Sequence, residues 1–237
     1  MTFDGLDHRQ SLALGAEITS TRNLLHYGTE VVESARFTDT TRDPIMTLLS
    51  IGFEKLFKLT VGIATLEREG AWPTRKAMKN AYGHQIVDLH TKVMAELQAL
   101  AGSSKSHAQG LVADAAADPV VEPLMAALDR YAQEGRFYTS DLLAGHVQAW
   151  EDPSQTWKSL EDVLMKTPDV APAYATALAD PSDNASWDAA RAALNARLAR
   201  SILELWTTIA ACGQSGLLGR NGALFGHNIH PKMTGRR

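Results

Sequence analysis

Apolar residues recur along this chain at spacings of three and four wherever a pattern exists, and no run alternates apolar and polar positions as a half-buried strand would. The spacing predicts a first helix from about Gln10 to Ser34, with Leu14, Ile18, Leu25 and Val32 facing inward. A second opens at Asp43-Pro44, an N-cap residue followed by a proline where the missing N–H costs least. Ile45, Leu48, Leu49, Leu56, Leu59 and Ile63 carry it to about Glu69, and Gly70 and Pro73 stop it. A third begins near Gly83 on Ile86, Leu89, Val93, Leu97 and Leu100, and ends at Gly102-Ser103-Ser104. Ala113 to Pro119 reads as a loop or weak helix, and Val121 to Glu134 as a fourth helix. The clearest stripe comes late: Leu194, Leu198, Ile202, Leu205, Ile209 and Cys212 form one continuous apolar line.

Between Gly135 and Ser186 the periodicity weakens, with prolines at 153, 168, 172 and 181 and a short helical piece from Gln155 to Leu164. The fold expected is all-α, a single helical domain over 1–237 built as an antiparallel bundle of about five to seven helices. Residues 103–186 are expected to form a less regular insertion or peripheral subdomain. After Gly213 the character changes, with glycines at 216, 219, 222 and 226, and Gly222 and Gly226 each disfavour helix by about 1 kcal/mol.

Composition narrows the function classes. Apolar residues make up 45% and charged residues 21% of 237 positions, ordinary for a globular protein that needs no metal or disulfide staple. The lone Cys212 cannot form an internal disulfide, which points to a reducing, cytoplasmic setting. No apolar run approaches the roughly 20 residues of a membrane span, and the N-terminus lacks the basic start and apolar stretch of a signal peptide. A formal charge of −4 argues against coating nucleic acid through a broad basic surface, but leaves room for a local phosphate site. There is no Gly-x-Gly-x-x-Gly, phosphate loop or Gly-x-Ser-x-Gly elbow, so no cofactor is expected.

The most suggestive chemistry lies in Gly219-Arg220-Asn221-Gly222-Ala223-Leu224-Phe225-Gly226-His227. Metal-independent RNA cleavage uses the 2′-hydroxyl as nucleophile and needs a base, an acid and positive charge at the phosphate. A histidine with a pKa near ~6.5 serves as base or acid. A guanidinium grips phosphate through two parallel hydrogen bonds. Asn221 can orient the histidine or contact the sugar. One such pair is only part of the machinery, so a two-fold homodimer that joins two pairs is the expected assembly.

This segment resembles the motif of the HEPN superfamily, small helical bundles whose active members carry an Arg, four to six residues and then His, often with Asn, Asp or His after the Arg. Six residues separate Arg220 from His227. Upstream, Leu49 to Lys58 with its Glu54-x-x-x-Lys58 pair, followed by Gly83-His84-Gln85-Ile86-Val87-Asp88-Leu89, resembles the paired helices of the same superfamily. Together these segments cover about a quarter of the chain. The resemblance implies an RNA-binding protein or endoribonuclease of the toxin or phage-defence kind. Its site would be Arg220, Asn221 and His227, with a homodimer and an antitoxin or regulatory protein as further partners.

Other constellations read more plainly. His84 and Asp88 share a helix face while His90 points elsewhere, and a metal site there would need completion by His227 and His230 from the tail; capping and solvation are the simpler roles. Arg136-Phe137-Tyr138 can stack on a base or pack at a helix end. Cys212 lies on the apolar stripe as a small hydrophobe. The alternative to an RNA enzyme is a non-catalytic helical interaction or regulatory module, which the acidic charge and weakly patterned middle suit.

Overall fold

The computed structural model describes residues 2–35, 38–83, 85–102 and 107–234. Among them the chain is all-α: α1 (His8–Ser34), α2 (Thr38–Glu69), α3 (Arg75–Tyr82), α4 (Ile86–Gly102), α5 (His107–Ala117), α6 (Val121–Gln133), α7 (Tyr138–Leu143), α8 (Pro153–Leu164), α9 (Ala171–Ala179), α10 (Asn184–Gln214) and α11 (Gly219–Ile229). The longer helices match the periodic segments. Short ones, α3 and α7 above all, raise the count to eleven, above the five to seven that periodicity alone predicts. No helix among the described residues is long and apolar enough to cross a membrane.

α1 starts at a capping box: the Asp7 carboxylate accepts from the Gln10 N–H while the Gln10 side chain accepts from the Asp7 N–H. Its inward stripe of Leu14, Ile18, Leu25 and Val32 is buried. α2 runs antiparallel beside it, and the Lys55 ammonium bridges back to Glu17 and Ser20. Asp43-Pro44 does not begin α2, contrary to the sequence expectation. The helix already starts at Thr38, and Pro44 sits inside it. Proline removes a donor there, but the buried stripe of Ile45, Leu49, Phe53 and Leu56 that follows it packs continuously and holds the helix through that point.

α4 opens at Ile86, where the Asp129 carboxylate of α6 accepts from the Ile86 and Val87 N–H groups. A side chain from another helix therefore does the capping. α6 buries Leu124 and Leu128 against α2 and α4, and Thr47 and Tyr131 share a hydrogen bond. α5 packs between α4 and α10. Residues 107–133 thus belong to the main core. The outer layer is α8, which buries Trp157, Leu160 and Leu164 against α6, and α9, which lies on α10.

The junction of α5 and α6 is tied to α10 by a largely buried ion pair. Asp118 accepts from Arg197 and Ser201, and Arg197 also reaches Asp169 at 3.6 Å. Burial pushes the Asp118 carboxyl up. The hydrogen bonds from Arg197, Ser201 and the Val120 amide, together with the Arg197 charge, outweigh it and hold the group below the usual carboxylate range. Cys212 is buried on the α10 stripe, and burial lifts its thiol to about 11, so it packs as a hydrophobe.

Candidate functional site

The glycine-rich segment after α10 folds as helix. A turn through Gly216 and Gly219, both at positive φ (79° and 71°), reverses the chain and starts α11 antiparallel to α10. The residue before α11, Leu218, provides no cap. Instead the Glu67 carboxylate, from the last turn of α2, accepts from the Arg220 N–H (3.0 Å) and the Asn221 N–H (3.3 Å). A carboxylate at a helix N-terminus stabilises it by roughly 0.3–1 kcal/mol. A Cβ at position 219 would fall 2.1 Å from Glu67, so the cap and the positive φ both require glycine there.

Gly226 faces α10, whereas a Cβ at Gly222 would meet Leu218 at 2.3 Å and, further off, Ile63 of α2. A Cβ at Gly226 would lie 2.4 Å from the Ala210 carbonyl oxygen and 2.5 Å from the Gln214 nitrogen, and one at Gly213 would lie 2.6 Å from the Gly222 carbonyl oxygen. The two backbones approach too closely for side chains. This tertiary contact overrides the poor helix propensity that the sequence alone weighs against the segment. At the far end, Trp206 Nε1 donates to the Ile229 carbonyl (2.7 Å) and Arg22 Nη1 to the Asn228 carbonyl (2.9 Å). Both termini of α11 therefore have partners, and the helix is a fixed element.

Arg220 and His227 stand seven residues apart on this helix. At 100° per residue they differ by about 20° around the axis and by about 10 Å along it. Both are exposed, so they share one solvent face. The Arg220 side chain is 85% exposed and pairs with the 59% exposed Asp4 carboxylate at 3.1 Å. Just beyond His227, His230 Nδ1 accepts from the Lys232 N–H at 3.1 Å. Burial, then the charges of Lys232 and His227, lower the pKa of His230.

Asn221 has a different task from the one its place in the motif suggests. It is buried, about 100° around the helix from Arg220. Its Oδ1 accepts from the Asp4 N–H (2.8 Å) and its Nδ2 donates to the Asp4 carbonyl (3.1 Å). Both polar groups are thereby spent on positioning the N-terminal loop against α11, and with it the Asp4 carboxylate. Asp4 and Glu67 carry no sequence signal as site residues, since they lie 217 and 154 positions from Asn221.

The remaining candidates lie elsewhere. Glu54 and Lys58 pair with each other on α2, and Glu54 is thirteen residues, about 20 Å, from the Glu67 cap. His84 lies outside the described residues. His90 packs its ring 5.6 Å from Phe57, and its buried Nε2 has no hydrogen-bond partner. No three of His, Cys, Asp and Glu converge among the described residues. The Arg136 guanidinium lies over its neighbour Phe137, 5.4 Å from the ring centre. A groove of about 790 Å³ opens between α5 and α10, but its charged lining is Glu33, Asp114 and Glu204 against Arg200, itself paired with Asp169, which disfavours phosphate. The chain matches no protein-family model, no curated protein and no solved structure.

Proposed function

We propose that this chain is a HEPN-like protein that binds RNA and cleaves it without a metal, through the exposed face of α11. One observation carries the reading: Arg220 and His227 share a solvent face of a helix clamped at both ends. The segment is helical, as the superfamily's motif is. The Arg220–Asp4 pair is exposed and worth ~1 kcal/mol or less, so a phosphate that accepts two guanidinium hydrogen bonds can displace Asp4.

In this reading the RNA 2′-oxygen attacks phosphorus as the 5′-oxygen leaves, giving a 2′,3′-cyclic phosphate and a 5′-hydroxyl. Arg220 holds the phosphate. His227 removes the 2′ proton or supplies one to the leaving oxygen. The other proton carrier is His230 or the His227 of a second copy, which makes a homodimer the expected assembly. The resemblance places such a protein among toxins or phage-defence factors, with an antitoxin or regulatory protein as partner. Positioned acid–base groups contribute about 10²–10⁴-fold. His227→Ala should therefore cleave mixed RNA at least a hundredfold more slowly than wild type in chelator. Equal rates, or no cleavage by either protein, would remove the catalytic reading.

A second reading, a non-catalytic interaction module, has its own support. Glu67 already occupies the two α11 amides that would otherwise receive a phosphate, and Asp4 brings a second carboxylate to the same end. RNA binding that survives Arg220→Ala unchanged would favour it.

A further inference from the structure

The stretch from Gly135 to Asp152, between α6 and α8, is built inside out. Nine large apolar side chains are exposed among the described residues, and five of them crowd into this one segment: Phe137, Leu142, Leu143, Val147 and Trp150. Leu143 is 85% exposed, Val147 81% and Trp150 60%. Of the five tryptophans, Trp150 alone is exposed. Meanwhile two of the segment's polar side chains, Gln148 and Asp141, bond to each other beneath this face, while Arg136, Thr139, Ser140 and His146 stay exposed. Gln148 is buried; its Oε1 accepts from Arg130 Nη2 (3.0 Å), and its Nε2 donates to Asp141 Oδ2 (2.6 Å) and the Glu134 carbonyl (3.3 Å).

This inversion is held in place. Arg130, itself buried on α6, also donates through Nε to the Glu151 carbonyl (2.7 Å) and lies 6.0 Å from the centre of the Tyr138 ring. The His146 N–H closes the turn onto the Asp141 carbonyl at 2.8 Å, with Gly145 at φ 76°. At the two ends Gly135 and Pro153 are in direct contact, with no space for a Cβ between them. Here a buried arginine network fixes the polar side and leaves the apolar side facing water, so little ordering entropy remains to be lost on binding.

We infer that this segment is a docking surface for a partner protein that presents apolar side chains in a basic frame. The five side chains expose on the order of 500 Å², as much as the largest apolar patches on monomeric proteins. Trp and Phe are residue types that anchor interfaces. The frame identifies the partner's chemistry. With Arg130 included, the surface carries Glu134, Asp141, Glu151 and Asp152 against Arg130 and Arg136, a formal charge of 2 − 4 = −2 with His146 neutral. A second copy would bring −2 against −2, and an anionic bilayer would be repelled in the same way; a partner rich in Lys and Arg would be attracted. The surface is independent of the Arg220–His227 face. Thr47 marks the α6 end of α2 and Glu67 the α11 end, twenty residues or about 30 Å apart.

The test uses the full chain and two fluorescent 16-residue amphipathic helical peptides, one of Leu and Lys and one of Leu and Glu. Wild type should bind the Leu/Lys peptide, with Trp150 becoming less accessible to acrylamide. Binding should weaken at least tenfold in Leu143→Asp/Val147→Asp, whose thermal midpoint should not change because both sites are exposed. Glu134→Lys/Glu151→Lys should turn the preference toward the Leu/Glu peptide. Failure to bind the Leu/Lys peptide, equal binding by the Leu143→Asp/Val147→Asp protein, or indifference to peptide charge would overturn the inference. So would light scattering that shows a dimer abolished by Leu143→Asp/Val147→Asp, which assigns the surface to a second copy. Binding to phosphatidylserine vesicles lost in that variant would overturn it in favour of a membrane.

Discussion

Asn221 and Asp4 lie 217 residues apart in sequence and exchange two hydrogen bonds, with the asparagine side chain acting as acceptor and donor to one backbone unit. Through them the N-terminal loop is fastened to the helix that carries Arg220. Asn221→Ala leaves the Asp4 N–H and carbonyl without these partners, at a cost of about 1–3 kcal/mol. Urea unfolding should show a loss of that size. An unchanged midpoint would mean that the clasp contributes nothing.

Two glycine-to-alanine substitutions should have opposite signs. Gly226→Ala drives a Cβ into the Ala210 carbonyl and the Gln214 amide, backbone atoms that cannot step aside, and overpacking of this kind costs about 1–3 kcal/mol. Gly110→Ala, within α5, meets nothing within 4 Å and should stabilise by up to ~1 kcal/mol through helix propensity. Thermal midpoints of the two variants decide the matter. A tolerated Gly226→Ala would contradict the close α10–α11 packing.

These glycines also show where the sequence is legible and where it is not. The apolar stripes of α1 and α10 are local facts, repeated over 27 and 31 residues, and they specify helix and inner face together. α11 is not specified locally. Its own propensities oppose helix, and the contact with Gly213, the Glu67 cap and the Trp206 hydrogen bond that outweigh them come from elsewhere in the chain. The start of α2 fails for the converse reason, because Asp43-Pro44 is a sound local signal that the tertiary stripe overrides. At the site, the spacing of Arg220 and His227 says little by itself, and the pair stands out in the sequence through Asn221 and the resemblance to the superfamily motif. The tie of Asn221 to Asp4, and the carboxylates beside Arg220, depend on chain folding that no local pattern encodes.

His90 should make the protein acid-sensitive well before the carboxylates titrate. Burial holds its pKa down to about 4, against ~6.5 in the unfolded chain. Above pH ~6.5 both states are neutral and nothing is lost. As pH falls below that, the unfolded chain takes up a proton that the folded protein resists, so stability declines until about pH 4 and then levels. The full swing corresponds to roughly 3 kcal/mol. His90→Leu should flatten this slope, so that the variant gains on wild type between pH 6.5 and 4. Parallel pH profiles would contradict the burial of the neutral imidazole against Phe57.

The central claim is that the α11 face performs metal-free chemistry on the RNA 2′-hydroxyl. Its most direct test is single-turnover cleavage, in excess chelator, of an RNA and its fully 2′-O-methylated counterpart by wild type and His227→Ala. The account predicts that wild type cleaves only the unmodified RNA, leaving a 2′,3′-cyclic phosphate, and that His227→Ala is at least about a hundredfold slower. Cleavage of the methylated strand, or a wild-type rate in His227→Ala, would contradict it.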